Sequence, residues 1–181
     1  MNKLRIGSDL DQVLDDFWNP YIERFGQPKS DSQITKHCQQ VLRKDKDFWE
    51  NLPVLHRPNF NLHLYCTKRT SSKEYAKRWL EINGFNKAPV YQCIFQYGSK
   101  APLIKGRCDL FIDDSVDNFL DLNRKGIPCL LMDGPHNRHL GEVLRVYSMD
   151  YDELFETFLL GEMTKVFKEF NEYFPQKSRI I

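Results

Sequence analysis

Two pairs of acidic residues stand directly after short apolar segments of the chain. Asp9 and Asp11 follow one such segment near the start, and Asp113 and Asp114 follow another. Carboxylates that come close together repel each other unless a cation lies between them. Carboxylate oxygens with few other ligands favour Mg²⁺, which keeps several waters and often binds beside a phosphate. The pattern predicts a Mg²⁺ site that includes Asp9 and Asp113, whereas Asp114 is equally well explained as a turn or helix-capping residue.

Hydroxyl and basic residues follow a third apolar segment. Thr67 ends an alternating apolar run, and Lys68 and Arg69 come next. A hydroxyl and free backbone N–H groups at the edge of a sheet bind anions, and nearby bases add to the attraction. A lysine further along, Lys100 or Lys105, precedes the second acidic pair and could neutralise a phosphate. These residues predict an anion site suited to a phosphate group.

The elements that must position these residues alternate between strands and helices. Short apolar runs that end in acidic residues are typical of strands buried on both faces of a parallel sheet. The predicted strands are residues 4–8, 61–66, 90–95, 110–112 and 128–132. Helical patterns cover residues 71–82, where Ser71 and Glu74 form a capping box, residues 115–125 and a segment from 150 onward. This alternation predicts an α/β domain with a doubly wound, mostly parallel sheet, in which ligands bind beyond the carboxyl ends of the strands.

One stretch between the first two predicted strands interrupts the alternation. It is rich in aromatic residues, including Phe17, Phe48 and Trp49, and we interpret it as a small helical cap inserted after the first strand. The resulting division is a core domain of residues 1–14 and 61–181 and a cap of residues 15–60. The three aromatic side chains could stack on a base or close over a sugar. Aromatic residues at helical spacing are as commonly part of a packed core, so both interpretations stay open.

The overall composition excludes several other classes of protein. The 181 residues, 41% of them hydrophobic, suit one domain with a modest insertion. The 26 basic and 25 acidic residues leave a net charge of +1, which provides no global field to hold nucleic acid or anionic lipid. No apolar run approaches the roughly 20 residues that span a bilayer, and the first residues lack the apolar core of a signal peptide.

The cysteines also exclude certain kinds of site. They are five in number, an odd count, and lack a C-x-x-C pair, so they encode neither a disulfide framework nor a zinc site. We therefore expect a cytoplasmic protein with reduced thiols. We also expect it to bind neither membranes nor, in any stable way, nucleic acid.

The order of these motifs resembles that of the haloacid-dehalogenase-like phosphohydrolases. The first motif of that superfamily is D-x-D-x-[TV], which residues 9–13 match. The second is a strand ending in Thr or Ser, which residues 65–67 match. The third is a lysine, and the fourth is an apolar strand ending in acids, which residues 110–114 match. Within the superfamily the chain is most similar to the 5′(3′)-deoxyribonucleotidases and their short bacterial and phage relatives. This closer likeness is carried by residues 9–17, 48–49 and 135–138.

The resemblance implies a role for each candidate residue. Asp9 would be the nucleophile that forms an aspartyl-phosphate intermediate, and Asp11 would protonate the leaving alkoxide and then activate water. Mg²⁺ would be held by the Asp9 carboxylate, the Asp11 backbone carbonyl and Asp113. The phosphoryl oxygens would be held by Thr67, by the amide of Lys68 and by one lysine.

Local sequence separates the two candidates for that lysine. Lys100 is preferred to Lys105, because residues 99–102 could begin a short helix that aims the Lys100 amine inward. The chain also departs from the resembled pattern, with Gln12 in place of a Gly and Lys68 in place of a small residue.

The function implied by the resemblance is a Mg²⁺-dependent phosphomonoesterase. The expected substrate is a small phosphate ester, a (deoxy)nucleoside monophosphate in the first place, which makes the chain a 5′(3′)-nucleotidase. A homodimer is a further expectation from the resembled group. Two alternatives stay open, a phosphatase of sugar phosphates or other small phosphate esters, and a non-catalytic module that binds a phospho-ligand.

Overall fold

A six-stranded parallel sheet lies at the centre of the computed structural model, which describes residues 3–93, 98–141 and 144–175. Its strands are β1 (Ile6–Ser8), β2 (Leu64–Thr67), β3 (Val90–Gln92), β4 (Leu110–Asp113), β5 (Cys129–Met132) and β6 (Arg145–Val146). The strand order is β3-β2-β1-β4-β5-β6, and each neighbouring pair is parallel. The chain starts in the middle of the sheet and winds out to one edge and then to the other, which confirms the predicted doubly wound α/β fold.

Helices connect these strands. The helices are α1 (Trp18–Phe25), α2 (Asp31–Gln40) and α3 (Lys46–Glu50) between β1 and β2, α4 (Lys73–Ile82) between β2 and β3, α5 (Ala101–Ile104) between β3 and β4, α6 (Val116–Arg124) between β4 and β5, and α7 (Tyr151–Met163) and α8 (Phe170–Tyr173) after β6. Short 3₁₀ turns cover Leu42–Lys44 and Arg138–Leu140. Within the described ranges, none of the helices combines the length and the apolar character that a bilayer crossing requires.

The central strands are apolar at consecutive positions because both of their faces are covered. Every residue of β1, β2, β4 and β5 is buried. Gly7 in β1 allows close packing between neighbours, since a Cβ atom there would lie 2.7 Å from Leu64 and 2.9 Å from Phe111. The sheet is therefore a tightly packed platform, and the residues that follow its strands have well-defined positions.

The register of the strands aligns their carboxyl ends. Ser8 of β1 pairs with Tyr65 of β2 on one side and with Ile112 of β4 on the other. The residues that follow β1, β2 and β4 consequently emerge at one edge of the sheet. This is the edge at which open parallel sheets bind ligands.

Several local details differ from the sequence prediction. The predicted strands 4–8 and 61–66 are observed over Ile6–Ser8 and Leu64–Thr67. Helix α4 is capped by Ser72, whose side-chain oxygen accepts a hydrogen bond from the Glu74 N–H at 3.3 Å, rather than by Ser71, which is buried. Ser72 has the extended backbone that a capping residue requires. The predicted strand 90–95 is present as β3, and residues 94 and 95 lie outside the described residues.

The segment between β1 and β2 contains helices α1 to α3 and rests on the core. Helix α3 packs against α4, and the indole N–H of Trp79 in α4 donates to the Leu52 carbonyl at 2.7 Å. The buried side chains of Tyr21 and Trp49 belong to the same hydrophobic cluster as the central strands. The division of the chain into a core and a cap remains a prediction.

Candidate active site

Among the described residues, three carboxylates meet at the carboxyl edge of the sheet. Asp9 directly follows β1, Asp113 is the last residue of β4, and Asp114 comes next. One carboxylate oxygen from each lies within 4.8 Å of the other two. The pairing of β1 with β4 brings them together, because the Asp9 N–H donates to the Ile112 carbonyl at 2.9 Å. We refer to Asp9, Asp113 and Asp114 as the acidic cluster.

Lys100 reaches into this cluster from the start of α5. Its Nζ lies 2.6 Å from Asp9 Oδ2 and 2.8 Å from Asp113 Oδ2, and the side chain has no exposed surface. Burial by itself lowers the pKa of Lys100, but the charges of Asp113 and Asp9 outweigh it and raise the pKa above its usual value. Lys105 follows α5 and is exposed, so only Lys100 of these two lysines lies in the acidic cluster.

Hydrogen bonds fix the orientation of two of the carboxylates. Asp9 Oδ1 accepts from the Leu10 N–H at 2.7 Å. Asp113 Oδ1 accepts from the Ser115 N–H and from the Asn118 side-chain amide, both at 3.0 Å. The Oδ2 atoms of Asp9 and Asp113 are thereby turned towards Lys100. The start of α6, which Ser115 caps, holds the end of β4 in place.

The charge of the acidic cluster is not balanced by Lys100. Burial raises the pKa of Asp9 well above its usual value, and Lys100 opposes this rise. Burial also raises the pKa of Asp114, while a hydrogen bond from His136 opposes it and the Asp113 carboxylate adds to it. A hard divalent cation with oxygen ligands would remove this repulsion. The donor set, which consists of carboxylates, fits Mg²⁺.

The loop after β5 holds Asp114. His136 Nε2 lies 3.0 Å from Asp114 Oδ2, and the Asn137 side-chain amide donates to the Asp114 carbonyl at 2.8 Å. The Asn137 amide also donates to the Met132 carbonyl at 2.8 Å, which ties this loop to the end of β5. In the sequence these residues belong to the stretch 135–138, which carries part of the family resemblance, and nothing local predicts their contact with Asp114.

Asp11 lies beside the acidic cluster but faces a different set of partners. Its Oδ2 accepts from the Thr67 hydroxyl at 3.4 Å, and its side chain is 28% exposed. Thr67 ends β2 and is fully buried, whereas the following Lys68 is partly exposed. The structure thus brings Asp11, Thr67 and Lys68 to the same edge as Asp9. The predicted use of the Asp11 backbone carbonyl as a metal ligand stays a prediction.

Arg69, which the sequence placed only among the bases of a predicted anion site, is a direct neighbour of Asp11. Its Nε donates to Asp11 Oδ1 at 2.8 Å, and its Nη2 contacts the buried carboxylate of Asp15. The guanidinium also lies over the Trp49 ring, 4.9 Å from the ring centroid. In the sequence, Arg69 is a basic residue two positions after Thr67. Basic residues are common on protein surfaces, so this position alone does not indicate a contact with Asp11.

A cavity of about 210 Å³ opens beside Asp11. Phe17, Trp49, Lys68 and Arg69 are among the residues that line it. Its lining therefore combines aromatic rings with charged groups of the sheet edge. A larger cavity, of about 850 Å³, lies between α3, α4 and β3, and the described residues that line it include none of the predicted site residues.

The three predicted substrate-binding aromatics pack on one another. The rings of Phe17 and Trp49 are stacked at 5.8 Å, and Phe48 makes edge contacts with both, at 6.0 and 5.2 Å. Phe17 and Trp49 are 8% and 2% exposed. These two residues serve the core and border the cavity at the same time, whereas Phe48 is not among the residues that line the cavity.

Gln12 occupies a position where the backbone favours glycine. Its φ is +60°, in the left-handed region, which explains why a Gly is common at this place in the resembled group. With its amide oriented to satisfy its neighbours, the Gln12 side-chain oxygen accepts from the N–H groups of Phe17 and Trp18 at 2.8 and 2.9 Å. These hydrogen bonds tie the Gln12 side chain to the start of α1.

Comparison with known proteins adds one distant relative. No family model matches the chain. A curated protein of Clostridium acetobutylicum that is named a nucleotidase is 28% identical over 149 residues, which cover 76% of this chain and 73% of that protein. The likeness supports a nucleotidase-like relationship. It extends over most of both chains.

Proposed function

We propose that this protein is a Mg²⁺-dependent phosphomonoesterase of the haloacid-dehalogenase-like type that dephosphorylates nucleoside monophosphates. The observation that carries the proposal is the acidic cluster, in which Asp9 and Asp113 share the buried amine of Lys100. The nucleotidase-like relationship supports the choice of substrate class. The cavity beside Asp11, bordered by the rings of Phe17 and Trp49, offers space for the leaving group.

In the first step, an oxygen of the Asp9 carboxylate attacks phosphorus. A bond forms between Asp9 and phosphorus, and the bond from phosphorus to the ester oxygen breaks. Asp11 gives its proton to the departing oxygen, which leaves as a neutral alcohol. Asp11 is suited to this role because its carboxylate lies beside Asp9, outside the acidic cluster, and is partly exposed.

In the second step, water hydrolyses the aspartyl-phosphate. The Asp11 carboxylate, now deprotonated, takes a proton from the water as the water oxygen attacks phosphorus. Inorganic phosphate leaves and the Asp9 carboxylate is restored. Thr67 and Lys100 hold the phosphoryl oxygens in both steps, with the Lys68 amide as a further donor.

Asp9 and Asp113 would hold the metal ion, with Asp114 within reach as a third carboxylate. Mg²⁺ bound there would orient the phosphate and shield the carboxylates from its negative charge. Leu10, Ser115 and Asn118 keep the carboxylates in position through their hydrogen bonds.

The proposal is tested by phosphate release from a panel of nucleoside monophosphates and sugar phosphates in the presence of Mg²⁺. We expect release from nucleoside monophosphates and its loss in Asp9→Asn. Asp117→Asn is the matched control, because Asp117 is an exposed carboxylate on α6 outside the acidic cluster. Release that is unchanged in Asp9→Asn would contradict the mechanism.

Other outcomes of the same panel identify the alternatives. Turnover of sugar phosphates alone would replace the nucleotidase by another small-molecule phosphatase with the same chemistry. Binding of a phosphate ester without release from any member of the panel would indicate a non-catalytic module that binds a phospho-ligand.

A further inference from the structure

Arg69 is a buried cation at the end of β2. Its side chain is 1% exposed, and its backbone N–H donates to the Thr67 hydroxyl at 3.1 Å. Removing a guanidinium from water is costly unless charged or polar partners replace the water. The partners of Arg69 therefore indicate which interactions compensate for its burial.

These partners come from separate parts of the chain. Asp11 and Asp15 belong to the segment after β1, and Trp49 belongs to α3. The Trp49 ring is itself fixed, because its indole N–H donates to the Leu42 carbonyl at 2.7 Å. Arg69 is thus clamped between an ion pair with buried Asp15 and the face of an aromatic ring. A planar guanidinium held in this way presents its Nε–H in one direction.

That direction is the carboxylate of Asp11. Arg69 Nε donates to Asp11 Oδ1 at 2.8 Å, whereas the contact that Asp11 Oδ2 makes with the Thr67 hydroxyl is longer, at 3.4 Å. Oδ1 is engaged by a charge-assisted hydrogen bond, so Oδ2 is the oxygen that remains available for proton transfer.

We propose that Arg69 is a positioning residue, which holds Asp11 so that Oδ2 gives the proton to the leaving oxygen of the substrate. This inference rests on the proposed function. Arg69 itself touches Asp11, Asp15 and Trp49 and acts through Asp11. A misplaced Asp11 would slow the departure of poor leaving groups, which need the proton, far more than that of good ones.

The test compares phosphate monoesters of different leaving groups, from p-nitrophenyl phosphate through phenyl phosphate to a nucleoside monophosphate. The variant is Arg69→Lys, which keeps the positive charge beside Asp15 but loses the fixed Nε–H. We expect kcat/KM for the nucleoside monophosphate to fall at least about tenfold, and kcat/KM for p-nitrophenyl phosphate to change by less than about threefold. The expected fall is part of the roughly 10²–10⁴-fold acceleration that general acid catalysis contributes. Arg5→Lys is the control, since the exposed Arg5 pairs with Asp109 and lies before β1.

A second variant guards against loss of folding. Arg69→Gln combined with Asp15→Asn removes both charges of the buried pair, so that Asp15 is not left as a buried unpaired charge, and Asp11, which loses the same partner, is partly exposed. The same dependence on the leaving group is expected, and folding of each variant is measured by circular dichroism.

The remaining outcomes overturn the inference. An equal fall for all esters, or variants that do not fold, would make Arg69 a structural residue only, and unchanged kcat/KM would give it no role. A wild-type protein that hydrolyses none of these esters would contradict the proposed function itself and this inference with it.

Discussion

The position of Lys100 is decided by charge. A lysine amine that is fully buried needs negative partners, and Lys100 has Asp9 and Asp113 at 2.6 and 2.8 Å. Each of these carboxylates in turn needs a cation, because both are buried at the edge of the sheet. Lys100 is therefore part of the folded architecture as well as a candidate phosphate ligand. Its removal should affect stability and activity together.

We expect Lys100→Met to lower the free energy of unfolding by about 3–5 kcal/mol, the usual cost of breaking a buried ion pair. The reason is that Asp9 and Asp113 would keep their burial and lose their cation. The measurement is urea unfolding without Mg²⁺, together with phosphate release. Lys105→Met is the matched control, and since Lys105 is exposed we expect a change within about 0.5 kcal/mol. Equal effects of the two substitutions would contradict this account.

At the scale of the elements, an ion pair joins the end of β5 to the start of β6. Asp133 follows β5, and its Oδ1 lies 3.0 Å from Nη1 of Arg145, a buried residue of β6. Arg138 contacts Asp133 Oδ2 at 2.8 Å. The hydrogen bond from Arg138, together with the charges of Arg138 and Arg145, lowers the pKa of Asp133 below its usual value. This carboxylate stabilises the edge of the sheet while it is ionised.

The lowered pKa of Asp133 predicts a pH-dependent effect of Asp133→Asn. The folded-state pKa lies below the unfolded value of about 3.9, so the contribution of the carboxylate is fully present above that pH and is lost as the pH falls through the folded pKa. We expect the variant to have a lower free energy of unfolding than the wild type at neutral pH. The two curves should converge as the pH falls below about 4.

Denaturant unfolding of both proteins at a series of pH values measures this convergence. A difference between wild type and Asp133→Asn that stays constant down to the acid limit would show that the ionised form of Asp133 is not what stabilises the junction of β5 and β6.

At the scale of the whole molecule, a metal ion bound by the acidic cluster would couple metal binding to folding. Asp9 comes from the first strand and Asp113 and Asp114 from the fourth, so the cluster exists only when the sheet is formed. A ligand that binds the folded state alone shifts the unfolding equilibrium by mass action. Mg²⁺ should accordingly stabilise the protein without any change of its fold.

We expect Mg²⁺ at a hundredfold excess over its Kd to add about 2.7 kcal/mol and to raise Tm by roughly 5–10 °C. Thermal unfolding with Mg²⁺ and with a chelator measures the shift. In Asp114→Asn the shift should shrink, because one carboxylate of the acidic cluster is lost, whereas Asp117→Asn should keep it. A wild-type Tm that is the same under both conditions would contradict a metal site at the acidic cluster.

The predicted homodimer belongs to the same scale and stays a prediction. Sedimentation or light scattering on the full chain would measure the oligomeric state directly.

The sequence alone was sufficient to locate the residues at the ends of strands. Continuous apolar runs mark β4 and β5, because strands buried on both faces must be continuously apolar, and the alternating run 61–66 overlaps β2. Thr67, Asp113 and Asp133 stand directly at the ends of these runs. Parallel pairing then implies a common edge, so the sequence by itself predicts that Asp9 meets Asp113. The sequence did not identify the capping residue of α4, because Ser71 and Ser72 are both chemically suitable. Ser72 is the cap because its backbone has the extended conformation that capping requires.

Only the tertiary structure decided which side chains surround these strand ends. Arg69 is one of many basic residues in the sequence, and its role depends on Asp11 and Trp49, which lie 58 and about 20 positions away along the chain. The contact of His136 with Asp114 joins two different strand ends in the same way. Hydrophobic periodicity is a local property and determines the elements and their edges, whereas the pairing of buried charges depends on how the elements pack in three dimensions.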